Sequence, residues 1–112
     1  MEKNAEISAL RAYLREKVDE LLQQQADARD RGDLTLFDRI GLQILEVEHR
    51  SRMLGRLEFA EATAKLAEKV AVVNEAREDL DAAIREIERF RDFLKTVAKF
   101  LGLVDKVIDF LA

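Results

Sequence analysis

ADARDRGDLTLFDRI, residues 26–40, holds the clearest stop in the sequence. Gly32 can close a helix in the left-handed conformation, and Asp33 or Thr35 can cap the helix that follows. So short a connection lays its two helices antiparallel. Upstream of it, Ile7, Leu10, Leu14, Val18 and Leu21 recur at steps of three and four and draw one stripe on a helix. Downstream, Phe37, Ile40, Ile44, Val47, Ser51 and Leu54 do the same. The two stripes form the natural core of a helical hairpin, with its first helix over about residues 4–31.

From Leu57 the spacing continues through small residues, Ala60, Ala64, Ala67 and Ala71. A second stripe joins Leu66, Val70, Val73, Leu80, Ile84 and Ile87, and a third joins Phe90, Leu94, Val97, Leu101, Val104, Ile108 and Leu111. Between these stripes the step 84–87–90 takes two threes in succession, a register shift of the stammer type. Composition agrees with helix throughout. The 112 residues include no proline, no cysteine, no tryptophan and only four glycines, too few punctuating residues for the turns of a sheet protein. Without cysteine there is no disulfide scaffold, thiolate metal site or thiol nucleophile. Hydrophobic residues at 48% are too many for a disordered acidic chain.

The expected fold is therefore all-α and a single helical domain over 1–112. A hairpin of about 4–31 and 34–73 is continued by a long third helix over about 75–111, bundle-like or coiled-coil-like. Gly55, Asn74 and Gly102 are the candidate weak points after the turn, and Asn74 could cap the third helix. An unbroken helix from residue 34 to the end would be about 115 Å long, whereas helix 1 covers only about 40 Å. Either the chain folds back or a second chain covers the remainder, and self-association is the expected solution.

Residues 90–112 carry an apolar face covering roughly half the helix circumference, wider than the ~100° stripe of an ordinary surface helix. An interface would use it through Phe93, Leu94, Val97, Phe100, Leu101, Leu103, Val104, Val107, Ile108, Phe110 and Leu111. A membrane-surface helix would favour lysine and arginine on its polar face. Here Asp92, Asp105 and Asp109 nearly balance the bases, so that reading loses on charge. The stretch does not span a membrane either, since Lys95, Lys99, Asp105, Lys106 and Asp109 interrupt it. No apolar leader with a small-residue cleavage site follows Met1, and the expected setting is cytoplasmic. At a formal net charge of −4 the chain repels phosphate backbones. Its nearest basic cluster is His49, Arg50, Arg52 and Arg56. Glu46→Arg50 and Glu48→Arg52 are favourable i,i+4 pairs, so a salt-bridged face is expected there and no nucleic-acid partner.

One constellation carries chemistry. Glu46 and His49 form a Glu-x-x-His step, and an antiparallel hairpin centred on Gly32 sets them level with Glu16, Asp19 and Glu20 of helix 1. His49 shares a stripe with Leu42, Leu45, Met53 and Leu57. The Glu46-Val47-Glu48-His49 step, with the glutamines before the turn, resembles the short dimeric members of the ferritin-like group. That resemblance implies an iron- or manganese-binding helical dimer using Glu16, Glu20, Glu46 and His49. A second such step is missing from the chain, and a structural histidine is the plainer reading. No glycine-rich phosphate loop and no serine elbow occurs. The sequence therefore favours a non-enzymatic interaction or assembly module without cofactor. Its partners would be other copies of itself, another protein, or both, met through the C-terminal seams.

Overall fold

A computed structural model describes residues 2–112. Its helices are α1 (Ala5–Asp30), α2 (Leu34–Gly55), α3 (Ala64–Glu75), α4 (Arg77–Arg85) and α5 (Phe90–Leu111), and no strand occurs among the described residues. Only Ala76 separates α3 from α4, so the two are halves of one bent helix. The architecture is a four-membered bundle 48 Å long and 23 × 18 Å in section. No helix among the described residues is long and apolar enough to cross a membrane.

The turn at Gly32 forms as its residues dictate. Gly32 takes φ 76°, its N–H donates to Arg29 O, and the Asp33 N–H donates to Ala28 O. That is the six-to-one and five-to-two pairing of a Schellman cap. The Asp33 carboxylate then accepts from the Leu36 N–H and starts α2. At the other end of α1, the Asn4 side chain accepts from the N–H groups of Glu6 and Ile7 and donates to Ala60 O at 3.0 Å. Asn4 thus caps α1 and ties it to the connection between α2 and α3.

The continuous helix expected over 34–73 is two helices. α2 ends at Gly55, and α3 begins only after Thr63, whose hydroxyl accepts from the Leu66 N–H. Gly55 is where the Arg11 guanidinium crosses α2, and a Cβ there would stand 2.9 Å from Arg11 Cζ. Beneath that crossing the chain turns inward and buries the Glu58 carboxylate, which is bound by Arg11 at 2.6 Å and Lys3 at 3.1 Å. The helix expected over 75–111 is also divided. It bends at Ala76, where no side chain caps α4, so Asn74 lies beside the bend without capping it. It then reverses through residues 86–89, the position of the stammer. Ile87 is buried in this reversal, and Gln24 Nε2 caps the open end of α4 by donating to Ile84 O. Gly102 is exposed inside α5 and breaks nothing.

Folding back covers the seams. α5 packs against α3, α4 and α2, and α1 packs against α2, α3 and α4. Phe93, Val97, Phe100, Leu101, Val104, Val107 and Ile108 of α5 join Ile7, Leu10, Leu14, Leu21, Ile40, Leu54, Leu66 and Leu80 in one core. The breadth of α5's apolar face is thus spent on three neighbours within the chain.

Two substitutions separate core from cap. Phe100→Ala removes a side chain that is 1% exposed, and it should cost about 3–5 kcal/mol. Asn4→Ala should cost about 1–2 kcal/mol, through loss of the cap and of its tie to Ala60. Urea unfolding followed by circular dichroism measures both. Equal losses from the two variants would contradict this placement.

Candidate interaction surface

α5 was expected to supply a partner face, and most of that face is inside the bundle. Of the eleven residues concerned, Phe93, Val97, Phe100, Leu101, Val104, Val107 and Ile108 are buried, Leu103 and Leu111 are partly buried, and only Leu94 and Phe110 are exposed. Lys69 Nζ stands 5.3 Å above the Phe110 ring and covers part of it. A partner could use Leu94, Leu103, Phe110 and Leu111 without opening the fold, but not the other seven.

The ferritin-like constellation is not brought together. Heights along the hairpin match, but the faces do not. α2 turns Ile40, Ile44, Val47, Ser51 and Leu54 to the core, and His49, two residues from Val47, points about 200° away from it. His49 is exposed on the outer face. Glu46 instead holds Arg50 at 2.7 Å, and Arg50 reaches Asp105 of α5 at 2.9 Å. Glu16 and Glu20 flank Lys17, at 3.6 and 2.6 Å. Among the described residues no three His, Asp or Glu side chains gather as a metal ion requires. The i,i+4 pairs Glu46–Arg50 and Glu48–Arg52 do form, the second at 3.7 Å.

The polar cluster that the sequence hid lies between α1 and α4. Lys17 is 3% exposed, and its ammonium contacts Asp81 at 2.6 Å as well as Glu20. The Tyr13 hydroxyl donates to Asp81 at 2.7 Å and touches Arg77 O at 3.1 Å. Lys17 and Arg77 both lie over the Tyr13 ring, whose other neighbour is Phe100 at 5.6 Å. Burial would raise the Asp81 carboxyl, but hydrogen bonds from Lys17 and Tyr13 outweigh it and hold the group below its ordinary value. Burial would likewise lower Lys17, and its bonds to Asp81 and Glu20 reverse that into a rise. Tyr13 is pushed well above a free phenol, first by burial and then by its bond to Asp81. Every one of these groups is held in its ordinary charge state, so the cluster locks α4 onto α1 and is not set to exchange protons near neutral pH. The partners of Asp81 are 64 and 68 residues away in the chain.

Among the grooves on the described surface, two lie between neighbouring helices. One of about 380 Å³ runs between α4 and α5 over Ala76, Ala82, Ala83, Phe93 and Phe100. Its rim sets Asp79, Glu86 and Asp92 against Arg89, Lys95 and Lys99, and its one hydroxyl, Thr96, donates to Asp92 O. The other lies between α1 and α2 over Arg11, Arg15, Ser51 and Arg52, with Asp19 and Glu48 alongside. Neither places a nucleophile beside a base.

What stands out on the surface is the outer face of α2. Leu34, Leu42 and Leu45 are 61%, 63% and 59% exposed, with Asp38, His49 and Arg52 exposed among them and Met53 partly covered. At their exposed positions α1 carries Ala5, Ala9, Ala12, Arg15, Glu16, Asp19 and Leu22, and α5 carries Arg91, Leu94, Lys95, Ala98, Lys99, Gly102 and Phe110. Among the described helices only α2 exposes more than one leucine. The signal was present in the sequence as the stripe Leu42, Leu45, His49, Met53. Compared with known proteins, the chain matches no family model, no curated protein and no solved structure.

The α1–α4 lock has a pH signature. Asp81's pKa is lower in the folded than in the unfolded chain, so the unfolded chain takes up the proton first on acidification. Its contribution is complete above the ordinary carboxylate range and fades as pH falls through that range to the lower folded value. Asp81→Asn should flatten the loss of stability across that range and lower stability at pH 7. Lys17→Met should cost about 2–3 kcal/mol at pH 7, less than a fully sequestered pair because Asp81 keeps a third of its side chain in water. Urea titrations at pH 7, 5 and 3 report all of this, and an unchanged pH slope in Asp81→Asn would refute the assignment.

Proposed function

We propose that this chain is a non-enzymatic helical interaction module that docks a protein partner on the outward face of α2. One observation carries the reading. Leu34, Leu42 and Leu45 form an apolar stripe on a helix whose buried apolar positions, Leu36, Ile40, Ile44, Val47 and Leu54, face the core on another side. Exposed leucines occurring singly are ordinary, whereas a patch in register with a polar border is the usual mark of a protein contact. Asp38, Arg39, Glu46, His49 and Arg52 supply that border. The bundle holds the stripe rigid, because α2 is fixed to α1 along its length and to α5 through Arg50 and Asp105. The exposed remnant of α5, Leu94 with Phe110, is a smaller surface with a cation already set over one ring.

Site-specific photo-crosslinking in the cells that make the protein tests this. A photoreactive residue in place of Leu45 should give a discrete adduct on irradiation, and the same residue at exposed Lys95 or Glu68 should not. Failure to trap any protein from position 45 would overturn the proposal.

A further inference from the structure

The outer face of α2 is complementary to itself, and we propose that its partner is a second copy of this chain, docked α2 against α2 in antiparallel two-fold symmetry. This rests on the reading that α2 is the docking face. The stripe from Leu34 to Met53 is centred between Gln43 and Ile44. A two-fold axis through that centre sets Leu42 level with Leu45 of the second copy, Leu34 level with its Met53, and Asp38 level with its His49. Asp38 and His49 lie within about 20° of one another around the helix, at the middle of the face, so they meet directly. On one flank Arg39 comes beside Glu46 of the second copy, and on the other Arg52 comes beside its Asp38. All of these side chains except Met53 are exposed, and Met53 is partly covered.

Charge selects the direction. In a parallel pair each residue would meet its own copy, so Asp38 would face Asp38 and Arg52 would face Arg52. Antiparallel pairing replaces these repulsions with opposite charges and keeps every leucine against an apolar side chain, which is the self-complementarity a two-fold interface requires. The contact involves one helix face about 28 Å long from each copy. It is narrower than the ~800 Å² per partner of a standard interface, so a dissociation constant in the micromolar range is expected. In such a pair the two cores stay separate, and each bundle remains closed on its own.

The full chain without native cysteine is well suited to the test. Sedimentation equilibrium should show a monomer–dimer exchange. Leu42→Glu with Leu45→Glu should abolish it while leaving the helical spectrum and the unfolding midpoint unchanged. Asp38→Arg should weaken it tenfold or more, and adding His49→Glu and Arg52→Glu should restore it. Asp38→Cys chains mixed with His49→Cys chains should form the mixed disulfide. Asp38→Cys alone should not link, because its two copies stand about 17 Å apart along the helices. Linking of Asp38→Cys to itself would overturn the antiparallel arrangement. A monomer at every concentration would overturn the second copy as occupant, and the photo-adduct at position 45 then separates the two levels. An adduct with a different protein leaves α2 as the docking face, and no adduct removes both.

Discussion

α5's wide apolar face is the constraint from which the rest of the bundle follows. A helix apolar over half its circumference cannot stand at the edge of a two-helix hairpin; it needs neighbours on several sides. The chain supplies them by turning back at Gly55 and again at residues 86–89, which brings α3, α4 and α2 around α5. Phe93, Phe100 and Val104 then sit in the same core as Leu10, Leu14 and Ile40. Once that cover exists, α1 meets α4, and the approach becomes fixed by Lys17, Tyr13 and Asp81.

Those polar contacts serve register more than bulk stability. A buried ammonium costs desolvation that its partners must offset, and such a pair is most useful where it specifies one arrangement among several. The bent helix α3–α4 has no side-chain cap at Ala76. Asp81 under Lys17 and Tyr13 fixes its register on α1, since a shift by a turn would leave the buried Lys17 with only Glu16 and Glu20 of its own helix. Arg50 plays a similar part between α2 and α5, and Glu58 between the α2–α3 connection and the start of α1. Each of these three ties reaches across the chain by 47 residues or more.

The separation explains what could be read in advance. Helix content, the Gly32 turn and the core stripes of α1 and α2 depend on local spacing, and the sequence displays them openly. The reversal at 86–89 left a trace, two steps of three around Ile87, but Glu86, Glu88 and Arg89 carry no glycine or proline to announce a turn. The stop after Gly55 was written in Thr63 as a cap for the Leu66 N–H and in Glu58 as an acid to be buried, and Glu58 is not distinctive without its partners Lys3 and Arg11. Lys17 and Asp81 resemble any charged pair of helix-surface residues until the topology brings them together. The Glu46–His49 step does not meet Glu16 and Glu20 within the chain for the opposite reason: the level was right, but the azimuth of α2 is set by Ile40, Ile44 and Val47. The same azimuth turns Leu42 and Leu45 outward, and that turns a stripe first read around His49 into the surface of interest.

The claim beneath all of this is that one chain closes its own core, leaving α2 as the face for company. Isotope-filtered NMR on an equal mixture of labelled and unlabelled full-length protein tests it directly. Tyr13–Phe100 contacts should appear within labelled chains and be absent from the filtered, between-chain spectrum, whatever the state of association. Tyr13–Phe100 contacts in the between-chain spectrum would mean that a second copy completes the core, and would contradict the account.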